Sequence, residues 1–187
     1  MKSFIANAIV AGLMLGGAAF ADTIYVYEGE VIQHAIDSAS DGDEIIVGPG
    51  THRGDPCCPA STFFVLNMRG KQITLRSSDG PESTILDGEN ARAVIWCISG
   101  ETSASVIDGF TVTNGKDTGS GPGPGGGGIY CDASAPTIKN CRIINNRNSG
   151  IFWKNGPWSA GRGLVEGCLI SGNTSYEGAG IAVRNSL

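Results

Sequence analysis

The tetrapeptide Gly128-Ile129-Tyr130-Cys131 has counterparts on both sides of it in the sequence. Val94-Ile95-Trp96-Cys97 and Gly150-Ile151-Phe152-Trp153 share an isoleucine followed by an aromatic residue, and Gly180-Ile181-Ala182-Val183 keeps the frame without the aromatic. The isoleucines are separated by 34, 22 and 30 residues. Repetition on this scale is typical of solenoids, in which each unit buries its apolar side against the next one.

Three further segments lie between these tetrapeptides and also resemble one another. They place Phe110, Cys141 and Cys168 at corresponding positions of Val106–Val112, Thr137–Ile143 and Leu164–Ile170. Each segment has apolar residues at alternate positions, is broken by turn-forming residues, and lacks the apolar stripe of a helix. Because no hairpin dipeptide recurs at a fixed place, we expect each strand to pair in parallel with its counterpart one coil later.

The repeat therefore predicts an all-β fold, a parallel β-helix of about five coils with three strands per coil. Alternation along the strands directs one ladder of isoleucines into the interior, and its members are Ile95, Ile129, Ile151 and Ile181. The longer coils carry insertions at Gly115–Gly127 and Asn155–Gly163. We interpret both insertions as loops.

The two ends of the predicted stack differ. Apolar residues at helical spacing precede the breaker Asp41-Gly42-Asp43 and the strand Glu44–Val47, and they are Val31, Ile32, Ala35, Ile36 and Ala39. This pattern predicts one amphipathic helix that caps the first coil. Leu187 follows shortly after the strand at Ile181, so we expect a longer solenoid or an end covered by a partner, with self-association through the open C-terminal coil.

The first 21 residues have the parts of an export signal. Lys2 supplies the positive charge, Ile5–Gly17 is almost entirely apolar, and Ala18-Ala19-Phe20-Ala21 places small residues before a cleavage site. An uncleaved anchor is the alternative, but the apolar run is short for a membrane span. We divide the chain into a signal peptide (1–21), an N-terminal strand and capping helix (22–43) and β-helix coils (44–187). The mature protein is expected to be secreted, periplasmic or at the cell surface, without a membrane span.

Composition excludes several classes of protein. The 187 residues include 29 glycines without the every-third period of collagen, and 41% hydrophobic residues are too many for a disordered chain. The 13 basic and 18 acidic residues are interspersed and leave a net charge of -5. A nucleic-acid partner, which calls for clustered Lys and Arg, is therefore not expected.

Several runs resemble a known family. They are Ile32-Gln33-His34-Ala35-Ile36, Asp41 to Thr51, Gly70-Lys71-Gln72-Ile73-Thr74-Leu75, Asp108-Gly109-Phe110-Thr111-Val112 and Gly126-Gly127-Gly128-Ile129-Tyr130-Cys131. With them the chain resembles the secreted bacterial right-handed parallel β-helix proteins of the pectin-lyase-like superfamily. The resemblance implies a right-handed helix. It does not fix an activity, because that superfamily includes pectate and alginate lyases, polygalacturonases, tailspikes and adhesins.

The catalytic signatures of those enzymes are missing from this sequence. The Asn-Thr-Asp, Asp-Asp, Gly-His-Gly and Arg-Ile-Lys motifs of polygalacturonases are absent, as are the Asp-His and Arg-x-Pro-x-x-Arg signatures of pectate lyases. The histidines that remain after export, His34 and His52, lie in the cap and after the first strand. We therefore expect no cofactor, and calcium only if the protein is a lyase.

One candidate site can be built from the register. Asp132, Lys154 and Arg184 occupy matching outward positions, one coil apart, beside a second column of Trp96, Tyr130 and Phe152. Outward rings stack on sugars, and the two basic residues suit a uronate. The alternative is that loops cover the rings and the charges form a solvated face. For catalysis, Lys154, Arg184 and Asp132 are weak candidates, because no second carboxylate is placed for a metal.

All six cysteines follow the export signal, so disulfides are chemically allowed. Cys141 and Cys168 are expected to stack in adjacent coils, as are Cys97 and Cys131. Their β-carbons would lie about 4.8 Å apart, more than the mean of about 3.8 Å in a disulfide, which favours buried stacked thiols. For Cys57-Cys58, a vicinal disulfide and two separate bonds both stay open.

Three functions are compatible with these features. The leading hypothesis is an exported β-helix module that binds extracellular polysaccharide or another surface partner, without a complete catalytic set. The second is a lyase acting on uronate polymers whose remaining catalytic residues lie in C-terminal coils beyond Leu187. The third is a structural or adhesive spacer, which needs only the stack itself.

Overall fold

The computed structural model describes residues 21–55, 63–117, 126–154, 163–176 and 178–184. Residues 1–20 of the predicted signal peptide, Cys57 and Cys58, most of the two predicted insertions and Leu187 lie outside these ranges. In the described ranges, no helix is both long and apolar enough to cross a bilayer.

One helix and sixteen strands make up the described part of the chain. In order they are β1 (Thr23–Val26), α1 (Ile32–Ser38), β2 (Glu44–Val47), β3 (Gly50–His52), β4 (Phe64–Asn67), β5 (Thr74–Ser77), β6 (Thr84–Asp87), β7 (Ala93–Cys97), β8 (Val106–Asp108), β9 (Thr111–Thr113), β10 (Ile129–Asp132), β11 (Thr137–Lys139), β12 (Arg142–Ile144), β13 (Ile151–Lys154), β14 (Leu164–Glu166), β15 (Leu169–Ser171) and β16 (Ile181–Arg184).

The strands form three parallel sheets, one for each side of the coil. The first sheet has the order β1-β2-β5-β8-β11-β14, the second β3-β6-β9-β12-β15 and the third β4-β7-β10-β13-β16. From β2 to β14 the chain makes four complete turns, and β15 and β16 belong to the next one. The predicted parallel solenoid with three strands per coil is confirmed.

The isoleucine ladder has the predicted register. Ile129 pairs with Ile95 on one side and with Ile151 on the other, and Ile151 pairs with Ile181. The first three side chains are completely buried, whereas Ile181, on the edge strand β16, is 45% exposed. One continuous core follows this ladder from α1 to Trp153.

The corner between the first and second sheets has the same conformation in three successive coils. Gly109, Asn140 and Gly167 occupy it with φ of 78°, 52° and 62°. This left-handed conformation is inexpensive only for glycine and, among residues with side chains, is favoured by asparagine. The next residues, Phe110 and Cys141, turn into the core and are at most 1% exposed.

Helix α1 covers the first coil, as the sequence predicts, and lies within the stretch of helical spacing from Val31 to Ala39. It buries Ile32, Ala35 and Ile36. The ammonium group of Lys71 closes the C-terminal end by donating to the carbonyls of Ile36, Asp37 and Ala39 at 2.7, 2.8 and 2.7 Å. Strand β1 pairs with β2, so the N-terminal strand belongs to the first sheet and not only to the cap.

Apolar side chains are exposed on the last strands. They are Leu164, Leu169, Ile181 and Val183, with 47%, 52%, 45% and 59% of their surface accessible. Each lies on an edge strand of its sheet.

Candidate functional site

The outer face of the third sheet carries the predicted aromatic column. Tyr130 pairs with Trp96 of β7 and with Phe152 of β13, and Phe152 pairs with Ala182 of β16. The ring centroids of Trp96 and Tyr130 are 6.0 Å apart, and those of Tyr130 and Phe152 are 6.1 Å apart. The parallel register alone produces this contact, since it repeats one outward position in successive coils.

The rings are covered, as in the alternative given above, and do not form an exposed column that could stack on sugars. Trp96, Tyr130 and Phe152 are only 7%, 2% and 4% exposed. The planes of Trp96 and Tyr130 are inclined by 59°, and those of Tyr130 and Phe152 by 30°. The rings therefore form a second hydrophobic cluster outside the coil and present no flat stacking surface.

Close packing from several sides explains this burial. Ala93, Ala182, Phe64 and Ile98 belong to the same cluster or pack against it. The backbone at the end of the glycine-rich stretch also lies against the column, since a β-carbon on Gly126 would be 2.9 Å from Cβ of Phe152. A residue with a side chain would not fit at Gly126 without displacing Phe152.

Two phenylalanines contribute to the column without having been predicted. The Phe63 ring stacks on Trp96 with centroids 6.1 Å apart and an interplanar angle of 9°, and Phe64 lies 5.0 Å from Trp96. Strict alternation places Phe64 on the same side as the buried Leu66, so the sequence pattern points it to the interior. The two consecutive phenylalanines where β4 begins were the sequence feature that could have revealed this contact. Alternation is least reliable at the start of a strand.

The charged column beside the rings has the predicted register. Asp132 pairs with Lys154, and Lys154 pairs with Arg184 in the next coil. Lys154 Nζ lies 3.3 Å from Asp132 Oδ2, and the two side chains are 28% and 23% exposed. Arg184 is exposed on β16. The column therefore places one ion pair and a second cation at the carboxyl ends of three neighbouring strands.

The phenol of Tyr130 joins the two columns. Its hydroxyl donates to Asp132 Oδ2 at 3.3 Å. Burial, reinforced by the negative charge of Asp132, raises the pKa of Tyr130 well above its ordinary value. Tyr130 therefore acts as a neutral hydrogen-bond donor that holds the same carboxylate oxygen as Lys154.

This arrangement suits charge recognition better than bond cleavage. The amine of Lys154 is engaged by Asp132, which does not suit the role of a base for β-elimination. No group of three or more His, Cys, Asp or Glu side chains suitable for a metal occurs in the described ranges. His34 lies 3.6 Å from Asp55 beside the cap, and His52 is buried in β3, where its Nε2 lies 3.0 Å from the Gly48 carbonyl.

The cysteine pairs stack as expected. Cys97 pairs in register with Cys131, and the Cys141 amide contacts Cys168 Sγ at 3.4 Å. All four are free thiols, in agreement with the preference for stacked thiols over disulfides. Cys97, Cys131 and Cys141 are buried, whereas Cys168 is partly exposed.

Comparison with known proteins supports the same fold. No curated protein and no solved structure shows significant similarity to the chain. The sequence profile of the family described as "Right handed beta helix region" matches residues 69–186, which is more than half of the chain and includes both columns. Together with the three parallel sheets, this match shows that the chain belongs to the right-handed β-helix family.

Proposed function

We propose that this chain is an exported β-helix module that binds acidic polysaccharide outside the cytoplasm, with no complete catalytic set of its own. The carboxylates of the ligand would contact Lys154 and Arg184. The observation that carries the proposal is the register pairing of these two residues on the outer face of the third sheet.

The spacing of the column suits a repeating anionic ligand. Register partners in adjacent parallel strands lie about 4.8 Å apart, so two cationic side chains are presented along the solenoid axis. Asp132, which accepts a hydrogen bond from the Tyr130 hydroxyl, holds Lys154 from one side and so reduces the conformational entropy that the lysine side chain loses on binding. The buried rings support the strands instead of stacking on sugars. Binding is therefore expected to depend on charge and on ionic strength.

The experiment is a calorimetric titration of the full chain with alginate, pectate and a neutral glucan. We expect binding to the two uronate polymers and none to the neutral polymer. Lys154→Gln and Arg184→Gln are each expected to weaken uronate binding roughly fivefold, the effect of losing a screened charge contact of about 1 kcal/mol.

The chain contains a matched control for Lys154. Lys139 Nζ also lies 3.3 Å from a carboxylate oxygen, that of Asp108, its register partner one coil earlier on the first sheet. Lys139→Gln removes the same charge from a different face and should leave binding unchanged. Equal weakening by the two variants would contradict the proposed site, since net charge alone would then explain the interaction.

Two other outcomes would replace the proposal. If the wild type binds neither alginate nor pectate, the structural spacer becomes the better explanation. If absorbance appears at about 235 nm during incubation with a uronate polymer, the region of an unsaturated β-elimination product, the protein is a lyase.

A further inference from the structure

The solenoid contains two pairs of stacked cysteines that differ in their surroundings. Cys97 and Cys131 lie in the middle of the third sheet and are both completely buried. Cys141 and Cys168 follow the left-handed corner residues between the first and second sheets. All four are free thiols, so each pair serves as an internal comparison for the other.

The sulfur atom of Cys168 faces Cys141 directly. The backbone amide of Cys141 donates to Cys168 Sγ at 3.4 Å. Cys141 Sγ lies 3.2 Å from the Lys139 carbonyl, and Cys168 Sγ lies 3.3 Å from the Glu166 carbonyl. The two sulfur atoms are therefore already neighbours in the folded protein.

Only one of these four thiols is accessible. Cys141 is 1% exposed, and Cys97 and Cys131 are fully buried, whereas Cys168 is partly exposed at the bend between β14 and β15. A reagent dissolved in water can therefore reach Cys168 directly, and the Cys141 sulfur only after that first contact. This order of access is that of an attacking and a resolving cysteine.

The electrostatics of the pair agree with this order. The hydrogen bond from the Cys141 thiol lowers the pKa of Cys168 to about 6, with help from the Cys141 amide and against the opposing effect of burial. The pKa of Cys141 is raised, chiefly by its hydrogen bond to Cys168 and by burial, and that of Cys97 is raised by its hydrogen bond to Cys131 and by burial. Thiolates, and not thiols, attack disulfides.

We propose that Cys141 and Cys168 form a thiol–disulfide exchange site, in which Cys168 attacks small-molecule disulfides and Cys141 resolves the mixed disulfide. In the first step the Cys168 thiolate attacks one sulfur of a disulfide RSSR, forms Cys168–S–S–R and releases RS⁻. The released RS⁻ takes the proton of Cys141, whose thiolate then attacks Cys168 Sγ and releases the second RS⁻. Two electrons from the pair reduce RSSR to two thiols. The new bond links two adjacent coils and requires their β-carbons to approach from about 4.8 Å to about 3.8 Å, so the disulfide is strained and readily reduced again.

The test uses the folded wild-type chain and glutathione disulfide at pH 7. After brief incubation, acid quenching and alkylation, trypsin places Cys97, Cys131, Cys141 and Cys168 on four separate peptides, and Cys57 with Cys58 on a fifth. We expect a linked species joining the peptides Asn140–Arg142 and Gly163–Arg184. No link between the Cys97 and Cys131 peptides is expected under the same conditions.

Alkylation without oxidant gives a second readout. Iodoacetamide should modify Cys168 at least roughly tenfold faster than Cys97 or Cys131 in the folded protein, because its thiolate is both more abundant and more accessible. Cys141→Ser should stop the reaction at a stable glutathione adduct on Cys168. Cys168→Ser should leave Cys141 unmodified.

Three results would overturn the proposal. The first is that the Cys97–Cys131 link forms as fast as the Cys141–Cys168 link. The second is that Cys168 is alkylated no faster than Cys97 and Cys131. The third is that Cys141 reacts in the Cys168→Ser variant. The first two are measured on wild-type protein, so they do not depend on the folding of a variant. Circular dichroism shows whether the two serine variants fold, which the third result requires. If a variant does not fold, the two wild-type measurements decide whether the proposal holds.

Discussion

Lys154 and Asp132 are register partners in adjacent coils and form an ion pair of 3.3 Å on the outer face of the third sheet. Lys139 and Asp108 form the same pair, at the same distance, on the first sheet. What distinguishes the two positions is their surroundings. The Tyr130 hydroxyl donates to the carboxylate beside Lys154, and the next coil adds Arg184 to that column. Charged register partners thus occur on both sheets. On the first sheet they alternate in sign along Arg76, Asp108, Lys139 and Glu166, whereas the third sheet places two cations, Lys154 and Arg184, in succession.

The first prediction concerns the isoleucine ladder. Ile129→Asp should prevent folding, because it places an unpaired charge at a fully buried position and costs about 4 kcal/mol or more. Ile181→Asp is the matched control, since Ile181 is in the same ladder but 45% exposed. Far-ultraviolet circular dichroism and urea unfolding distinguish the two variants. Similar losses in both would contradict the assigned register or burial.

The second prediction concerns the corner at Asn140. Asn140→Ala should lower the free energy of unfolding by about 1 to 2 kcal/mol, because alanine tolerates a φ of 52° poorly. It also removes the bond of 2.9 Å that the side-chain amide donates to Asp108. Asn140→Gly keeps the backbone conformation accessible, as glycine does at Gly109 and Gly167. Urea unfolding should show the smaller loss for glycine, and the reverse order would contradict this explanation.

The third prediction concerns the pH dependence of stability through Tyr130. The pKa of its phenol is raised in the folded state above its ordinary value of 10.0. The stabilisation linked to this group is therefore fully present below that pH and is lost as pH rises toward the folded-state value. Wild-type protein should lose more stability than Tyr130→Phe between pH 9 and about 11. Urea unfolding across this range measures the difference, and parallel curves would show that the phenol titrates normally.

The fourth prediction concerns the closure of the capping helix. Lys71→Met should lower the free energy of unfolding by about 2 kcal/mol, because three carbonyls around the end of α1 lose a charged donor. Lys139→Met removes a lysine from a solvent-screened surface ion pair and should cost less than about 1 kcal/mol. Equal costs would show that the Lys71 contacts do not stabilise the cap.

Apart from Phe64, the sequence alone was sufficient for the features that depend on local periodicity. The spacing of Ile95, Ile129 and Ile151 predicted the coil, the parallel register and the inward ladder, because alternation has a period of two and repeats in each turn. The helical spacing around Ile32 and Ile36 predicted the cap in the same way. The same register predicted that Lys154 and Arg184 lie in matching positions of adjacent coils, as they do.

Features that depend on what packs over a strand were decided by the tertiary structure. Alternation shows that Trp96, Tyr130 and Phe152 point outward, but it contains no information on which distant segments cover them. Phe64 approaches the column from another coil, which no local pattern predicts. The accessible edge of Cys168 beside the buried sulfur of Cys141 is likewise a property of the stacked coils. The side of the sheet to which a side chain points is encoded locally. Its burial depends on residues that only the folded chain brings together.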